Sequence, residues 1–286
     1  MSFSLTKHHG LGNDFLVLLT ADAEVAADRE QWAERAVAWC DRSTGIGADG
    51  VLIGFHGDPE VDLVMTLFNA DGSLAEMSGN GIRCLVQAEA MRRGVESLEV
   101  TVQTDGGMRS VALGPDPDEA SNVAMATVDM GPVGVGPTAD RNDPVPEDLI
   151  EELGTEALGL DPLRAETYDL GNPHLVVLVP DPDAVAVEVA GRLYEQDYDH
   201  GMNVHFVAPT PDEEDSITMR VWERGVGPTE ACGTGATAVA FAAHQWGLVG
   251  ESVTVAMPGG EVVVDVGDPM YLYGPTTYVA DVRIPG

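Results

Sequence analysis

The sequence repeats itself once, and this repeat constrains the fold more than any other feature. Ser78–Gly81 and Cys232–Gly235 are glycine-rich segments that lie 154 residues apart, and each follows a glutamate by two residues. The apolar segments Met65–Phe68 and Met219–Trp222 align at the same offset. Because 286 residues are enough for two α/β domains, the repeat predicts two halves of similar design.

Each half is predicted to carry one helix directly after its glycine-rich segment. Ile82–Met91 contains neither glycine nor proline, and the same holds for the alanine-rich segment Ala236–Trp246. Ser78 and Cys232 would then lie at or just before helix N-termini, where unpaired N–H groups and the helix dipole favour an anion. Two such helix ends facing each other would hold a carboxylate. Further helices are predicted over Glu30–Cys40 and Glu147–Leu153.

Composition excludes several classes of protein. Hydrophobic residues make up 44% of the chain, so it should fold despite a net charge of −34. That charge makes nucleic acid and anionic membrane surfaces poor partners, and no apolar run approaches the roughly 18 residues that span a bilayer. Three cysteines without a Cys-x-x-Cys pair argue against a disulfide framework or a zinc ribbon. We therefore expect a cytoplasmic protein.

Lysine is almost absent, and this limits the chemistry. Lys7 is the only lysine, and it lies near the start of the chain. Pyridoxal phosphate needs a lysine for its Schiff base, so we expect any chemistry at an amino-acid Cα to proceed without that cofactor. Abundant carboxylates with so little lysine suggest adaptation to a salty cytosol, where screening weakens self-repulsion. An ordinary acidic protein is the alternative.

Several motifs have simple structural interpretations. Gly45–Gly50 matches the dinucleotide-binding fingerprint in its letters, but the apolar run follows it instead of preceding it, so we predict no nucleotide site. His8 and His9 lack a second group of ligands, so we predict no metal site. Cys40 and Cys84 are interpreted as small buried hydrophobic residues.

Cys232 is the candidate reactive residue. A thiol beside a helix N-terminus should have a lowered pKa and act as a base or nucleophile, although a buried structural cysteine is the alternative. The repeat places a second reactive-type position, Ser78, at the equivalent site. We expect both to converge on one carboxylate site in a cleft between the domains. Proton removal on one face of Cα and return on the other is the chemistry of a cofactor-independent racemase or epimerase.

Eight ordered motifs extend over essentially the whole chain: His9–Phe15, Gly45–Gly50, Phe68–Ser73, Gly79–Cys84, Gly171–His174, Asn203, Val221–Gly225 and Ala231–Ala236. In this order they resemble the diaminopimelate epimerase family. The resemblance implies an α/β (α+β) fold of two pseudo-symmetric domains, each a curved, mostly antiparallel sheet wrapped around a central helix. The implied domains are residues 1–126, to which 276–286 return, and residues 127–275.

The resemblance also implies a function and a site. The function is interconversion of LL- and meso-2,6-diaminopimelate in lysine biosynthesis by a homodimer, without pyridoxal phosphate or metal. The implied catalytic residues are Cys232, assisted by Glu223, and Ser78 with His174. The helix ends that bind the reacting carboxylate are Gly79, Asn80, Gly81, Gly233 and Thr234. The residues that hold the substrate's other end are Asn13, Asn69, Asn172, Asn203 and Arg224.

Ser78 departs from the family pattern, which has a second catalytic cysteine here. A hydroxyl is a much weaker acid than a thiol, and Cys84 is about 9 Å further along the helix on another face. Three explanations are open: a natural variant working through Ser78 and His174, an engineered substitution, or a paralogue with changed activity. The alternatives are therefore a proline racemase-like or hydroxyproline epimerase- or dehydratase-like enzyme, or an impaired amino-acid-binding protein. Arg224 and the asparagines suit a longer substrate with a second charged end.

Overall fold

The structure is a computed structural model that describes residues 2–56, 60–116, 122–138 and 160–284. The chain divides into two compact units, of which unit 1 is Met1–Asp129 with Leu272–Gly286 and unit 2 is Met130–Tyr271. The predicted helix Glu147–Leu153 lies outside the described residues. None of the helices in these ranges is long and apolar enough to span a bilayer.

Strands make up most of the regular structure. In chain order the elements are β1 (Phe3–Gly10), β2 (Asn13–Thr20), α1 (Ala23–Ala27), α2 (Arg29–Cys40), β3 (Gly50–Phe55), β4 (Leu63–Asn69), β5 (Leu74–Ala75), α3 (Gly79–Arg93), β6 (Leu98–Thr104), β7 (Gly107–Pro115), β8 (Val123–Gly131), β9 (Gly134–Val135), β10 (Arg164–Asp169), β11 (Pro173–Leu178), a 3-10 turn (Pro182–Ala184), α4 (Val187–Glu195), β12 (Asn203–Pro209), β13 (Ser216–Glu223), β14 (Gly227–Thr229), α5 (Gly233–Gln245), β15 (Ser252–Met257), β16 (Gly260–Asp265) and β17 (Met270–Ile284).

The two units share one strand topology. In unit 1, β2 and β3 are parallel, β3 and β4 antiparallel, β4 and β6 parallel, and β6 and β7 antiparallel. In unit 2, the same series runs through β11, β12, β13, β15 and β16. Equivalent backbone hydrogen bonds join Gly106 N to the Glu76 carbonyl at 2.8 Å and Gly259 N to the Glu230 carbonyl at 2.9 Å. The predicted internal repeat is confirmed.

Each unit wraps its sheet around one buried helix, as the fold prediction states. Every residue from Gly79 to Ala90 of α3 is buried, and this helix contacts β1, β2, β3, β4, β6 and β7. In unit 2, α5 contacts β10 to β13, β15 and β16. Both helices begin three residues before the predicted starts, since Ser78 and Cys232 cap their first turns and the glycines there allow close packing.

Helix α2 confirms the prediction over Glu30–Cys40 and explains the glycine motif that follows it. Trp32, Ala36 and Cys40 are buried on one face at a spacing of four residues. Gly47, with φ +83°, donates its N–H to the Trp39 carbonyl at 3.0 Å and so closes the end of the helix. The motif therefore links a helix to β3, which is the reverse of the order that a dinucleotide site requires.

The two ends of the described chain meet in one sheet. Strand β1 pairs antiparallel with β17, in a register that runs from Phe3 opposite Ile284 to His9 opposite Thr277. On its other side, β1 pairs with β2. Strand β1 is therefore held between β2 and β17, the last strand of the described residues.

Candidate active site

Ser78 and Cys232 occupy the same structural position in their units. Each is the N-cap of the buried helix, with φ and ψ of −143° and 120° at Ser78 and −134° and 112° at Cys232. The N–H of Gly81 donates to Ser78 Oγ at 3.0 Å, and the N–H of Gly235 donates to Cys232 Sγ at 3.3 Å. The prediction that both residues lie at helix starts is confirmed.

In unit 1, two of the predicted substrate-binding asparagines are joined. Asn80 is 1% exposed, and its Nδ2 donates to Asn13 Oδ1 at 3.2 Å. Arg83, fully buried on the next turn of α3, donates to Asn80 Oδ1 at 2.8 Å. Asn13 in turn donates to Asp49 Oδ2 at 2.9 Å. Because arginine only donates and a carboxylate only accepts, the two ends of this series fix both amide orientations.

The other predicted residues of unit 1 lie in the first turn of α3 and at the end of β4. Gly79 and Gly81 form the first turn of α3, beside Asn80. Asn69 lies at the end of β4, where its Nδ2 donates to Ser73 Oγ at 3.0 Å across a turn. The structure therefore groups Asn13 with Asn80 and gives Asn69 a partner in its own turn.

In unit 2, hydrogen bonds connect several of the predicted residues to neighbouring segments. Asn172 Nδ2 donates to Thr234 Oγ1 at 3.4 Å, which ties the loop before β11 to the first turn of α5. Asn203 bridges two backbone segments, since its Nδ2 donates to the Pro173 carbonyl at 2.8 Å and its Oδ1 accepts from Arg224 N at 3.0 Å. Gly233 is the first residue of α5.

The predicted low pKa of Cys232 is wrong. Burial raises the pKa of this thiol to about 12, and the negative charge of Glu223 adds to the rise. Hydrogen bonds from Thr234 and from the N–H of Gly235 act in the opposite direction, but they are outweighed. The position at a helix N-terminus suggested a thiolate. Cys232 is only 7% exposed and lies near a carboxylate, and both conditions disfavour a negative charge on sulfur, so the thiol is the resting form.

Glu223 itself is held in place at the end of β13. Its Oε1 accepts a hydrogen bond from Thr229 Oγ1 of β14 at 2.7 Å. Strands β13 and β14 pair directly, with Glu223 opposite Gly227. The carboxylate that acts on Cys232 is thus fixed by a short hairpin.

Cys40, Cys84 and His8 are buried inside unit 1. Cys40 and Cys84 are buried, and burial raises their pKa values to about 12 and about 11. His8 is buried and hydrogen-bonded to Gln87 at 2.8 Å and to Thr6 at 2.9 Å. In the described ranges, no cluster of three or more histidine, cysteine or acidic side chains could hold a metal ion.

Comparison with known proteins identifies the family. The family model described as "Diaminopimelate epimerase" matches residues 5–135 and 167–279. A diaminopimelate epimerase from Synechococcus elongatus is 35% identical over 292 residues, covering 98% of this chain and 97% of the relative. One from Pelotomaculum thermopropionicum is 38% identical over 283 residues, covering 96% of each. The chain belongs to the diaminopimelate epimerase family.

Solved structures agree with the fold of this diaminopimelate epimerase family member. A hydroxyproline epimerase from Agrobacterium vitis has a TM-score of 0.72 at 15% identity, covering 99% of this chain and 92% of that one. A predicted epimerase from Pseudomonas aeruginosa has a TM-score of 0.72 at 16% identity, covering 99% of each chain. At such low identity these likenesses show the fold alone, and they confirm the α+β prediction.

His174 does not have the environment that the resemblance to diaminopimelate epimerases implied. The prediction was that it could activate the Ser78 hydroxyl as a base. Its Nδ1 lies 2.8 Å from His205 Nε2, and its Nε2 lies 2.8 Å from Asn172 Oδ1. Burial and the neighbouring His205 also hold its pKa well below the usual value. With both ring nitrogens occupied inside unit 2, His174 has no lone pair to offer a hydroxyl.

Three further residues of this region were not predicted as part of the site. They are Arg83, Asp49 and His205, each hydrogen-bonded to a residue that was predicted. The signal for His205 was available, since it lies two residues after Asn203 and so faces the same side of β12. Arg83 and Asp49 stood inside motifs that were used only as markers of the family.

Proposed function

We propose that this protein interconverts LL- and meso-2,6-diaminopimelate by moving the α-proton without pyridoxal phosphate. The observation that carries the proposal is the matched pair of helix caps, Ser78 and Cys232, in two units of the same topology. Family membership supports the substrate and the place of the reaction in lysine biosynthesis. The first turns of α3 and α5 offer backbone N–H groups suited to a carboxylate.

The proposed reaction needs Cys232 and Ser78 on opposite faces of one α-carbon. In one direction, the Cys232 thiol first loses its proton to solvent. The thiolate removes the α-proton and becomes a thiol again, while the Ser78 hydroxyl gives a proton to the other face and becomes an alkoxide. The alkoxide then takes a proton from solvent, which restores both groups. Helix-end N–H donors to the carboxylate stabilise the negative charge that develops during transfer.

The remaining residues suit the second amino-acid end of the substrate. Arg224 follows β13 directly, and its backbone is fixed by Asn203. A guanidinium can bind a carboxylate with two parallel hydrogen bonds, which a ring substrate without a second carboxylate could not use. Asn13, Asn69 and Asn172 offer amide groups for the same end.

Reaction in deuterium oxide tests this function. With LL-diaminopimelate, we expect epimerisation with deuterium at the α-carbon of the product, followed by mass spectrometry and chiral separation. Trans-4-hydroxy-L-proline is the control substrate, and we expect no exchange with it. Binding of diaminopimelate without exchange would instead identify a catalytically silent binding protein and would overturn the proposal.

Substitution of Ser78 tests its assigned role. Because the hydroxyl is the weaker acid of the pair, Ser78→Cys should raise turnover by orders of magnitude. Ser110→Cys, at an exposed position of β7, is the matched control that adds a thiol elsewhere. An equal rate in Ser78→Cys and the parent protein would show that position 78 is not the proton donor.

Three finer properties are also proposed. The family resemblance supports a homodimer, which sedimentation equilibrium would distinguish from a monomer. The composition supports a cytoplasmic location. The net charge of −34 with a single lysine supports adaptation to high salt.

A further inference from the structure

A line of hydrogen bonds inside unit 2 leads from a buried histidine to the reactive sulfur. His205 Nε2 lies 2.8 Å from His174 Nδ1, and His174 Nε2 lies 2.8 Å from Asn172 Oδ1. Asn172 Nδ2 lies 3.4 Å from Thr234 Oγ1, which lies 3.6 Å from Cys232 Sγ. The proposed mechanism uses only the last of these residues as a base, and the two histidines have no part in it.

The far end of the line determines where its protons are. His205 Nδ1 is buried and has no hydrogen-bond partner among the described residues. Its ring packs against α5, where a Cβ on Gly235 would lie 2.3 Å from Cε1. A buried N–H without an acceptor costs more than a buried lone pair without a donor. The proton of His205 therefore lies on Nε2, and its Nδ1 carries the lone pair.

The first three hydrogen bonds of the line then have only one possible direction. Since His205 Nε2 donates, His174 Nδ1 must accept, so the proton of His174 lies on Nε2. That N–H donates to Asn172 Oδ1, which leaves Asn172 Nδ2 to donate to Thr234 Oγ1. The Thr234 oxygen therefore accepts from Asn172, which leaves its O–H for another acceptor. Because a thiolate can only accept, the hydrogen bond between Thr234 and the thiolate form of Cys232 runs from the Thr234 O–H to Sγ.

We propose that His205 is a positioning residue: by donating to His174 it fixes a series of donors that ends with the Thr234 hydroxyl pointing at the Cys232 sulfur. The series favours the thiolate form of Cys232, the form that removes the α-proton. This inference deepens the proposed epimerase function and rests on it for its catalytic meaning. The order of donors itself does not depend on the substrate.

The charges around the line are consistent with this order. Burial lowers the pKa of His205 to about 3, and burial with the neighbouring His205 holds the pKa of His174 far below its usual value, so both rings are neutral. Of the charged groups, Arg224 acts on His174 and Glu223 acts on Cys232. Burial and Glu223 oppose the thiolate, and the Thr234 hydroxyl partly offsets them.

The tautomer of His174 is a direct test that needs no variant of that residue. Protein labelled with 15N-histidine, studied by long-range 1H–15N correlation, distinguishes a proton on Nε2 from one on Nδ1. We expect Nε2–H for both His174 and His205, assigned by comparison with His205→Gln. A proton on Nδ1 of His174 would reverse every later donor and overturn the proposal.

A matched pair of substitutions at position 205 tests the effect on the sulfur. In His205→Gln the new amide can donate to His174 from the position of Nε2, whereas in His205→Glu the ionised carboxylate can only accept. The readout is the rate of iodoacetamide alkylation of Cys232 between about pH 9 and 10.5, with the modified residue identified by peptide mass spectrometry. At about pH 9 and above, a buried carboxyl of this kind is ionised. His205→Gln should keep the parent profile. His205→Glu should lower the rate about tenfold, equivalent to about one pKa unit.

The new charge in His205→Glu could also act on the thiol through space, and Thr234→Val separates the two effects. Valine keeps the shape of threonine but removes the hydroxyl through which the series reaches sulfur. Thr234→Val alone should slow alkylation, and Thr234→Ser should not. In the Thr234→Val background, His205→Glu should lose most of its effect. Equal effects of His205→Glu in both backgrounds would show direct repulsion and overturn the proposal.

These measurements stand apart from turnover. Alkylation and tautomer are read in protein without substrate, so failure of the epimerase assay leaves them interpretable. If Thr234→Val and His205→Glu change the alkylation rate as expected while diaminopimelate is not epimerised, the donor series is supported and the proposed function is refuted. If Thr234→Val leaves the alkylation rate unchanged while epimerisation is observed, the proposed function is supported and the donor series is refuted.

Discussion

Substitution of Gly235 by alanine should destabilise the protein, although alanine is the better helix former. Gly235 lies in the first turn of α5, and an added Cβ would stand 2.3 Å from His205 Cε1 and 2.8 Å from Nε2. That ring is stacked on His174, with ring centroids 5.1 Å apart, and is fully buried. Overpacking of this kind costs about 1–3 kcal/mol, against a gain of at most ~1 kcal/mol from helix propensity. We expect a net loss of about 1–2 kcal/mol.

The repeat supplies the control for this prediction. Gly81 is the equivalent glycine of α3, and a Cβ there would meet Ser78 Cβ and Oγ at 3.2 Å and Leu52 at 3.4 Å. Gly81→Ala should therefore change stability by less than about 1 kcal/mol. Thermal unfolding of both variants measures the difference, since 1 kcal/mol shifts Tm by about 2–4 °C in chains of this size class. A Tm for Gly235→Ala equal to or above that of Gly81→Ala would refute the reasoning.

Three further predictions concern charge, oxidation and salt. Burial alone would raise the pKa of Asp14, but hydrogen bonds from Arg42 and Lys7 lower it below the usual value. The ionised Asp14 should therefore stabilise the folded protein above about pH 4, and this stabilisation should be lost as the pH falls through the lowered pKa. Denaturation of Asp14→Asn should accordingly show a stability deficit at pH 7 that shrinks towards pH 2; a constant deficit would contradict it. Mild oxidation should give no intramolecular disulfide at Cys232, because position 78 is a serine, and peptide mass spectrometry would detect one. Stability to urea should rise with KCl, and greater stability at low salt would refute the adaptation to salt.

The sequence was sufficient for the features that depend on local pattern. The offset of 154 residues predicted two halves of one design, and the shared strand order confirmed it. The lack of glycine and proline after Gly81 and Gly235 predicted both central helices. Their capping residues followed from the same pattern, since a helix that begins beside a serine or cysteine in extended conformation uses that side chain to accept its first N–H groups.

The features that depend on burial and on partners far along the chain were not predicted. The pKa of Cys232 depends on how completely the sulfur is enclosed and on Glu223, which local sequence does not give. His174 was assigned to a hydroxyl in the other half because a family pattern places it there. Its actual partner is His205, 31 residues away on the neighbouring parallel strand. Strand register, which no single segment encodes, decides that contact.

The pairing of β1 with β17 has a consequence for synthesis. Unit 2 is continuous from Met130 to Tyr271, so all of it is synthesised before β17 is complete. Of the described strands, β1 is synthesised first, yet β17, its partner on one edge, reaches to Ile284. Domains usually fold in the order in which they are translated. In this protein, unit 1 can complete its sheet only after unit 2 has been synthesised. Until then, one edge of β1 lacks its partner strand.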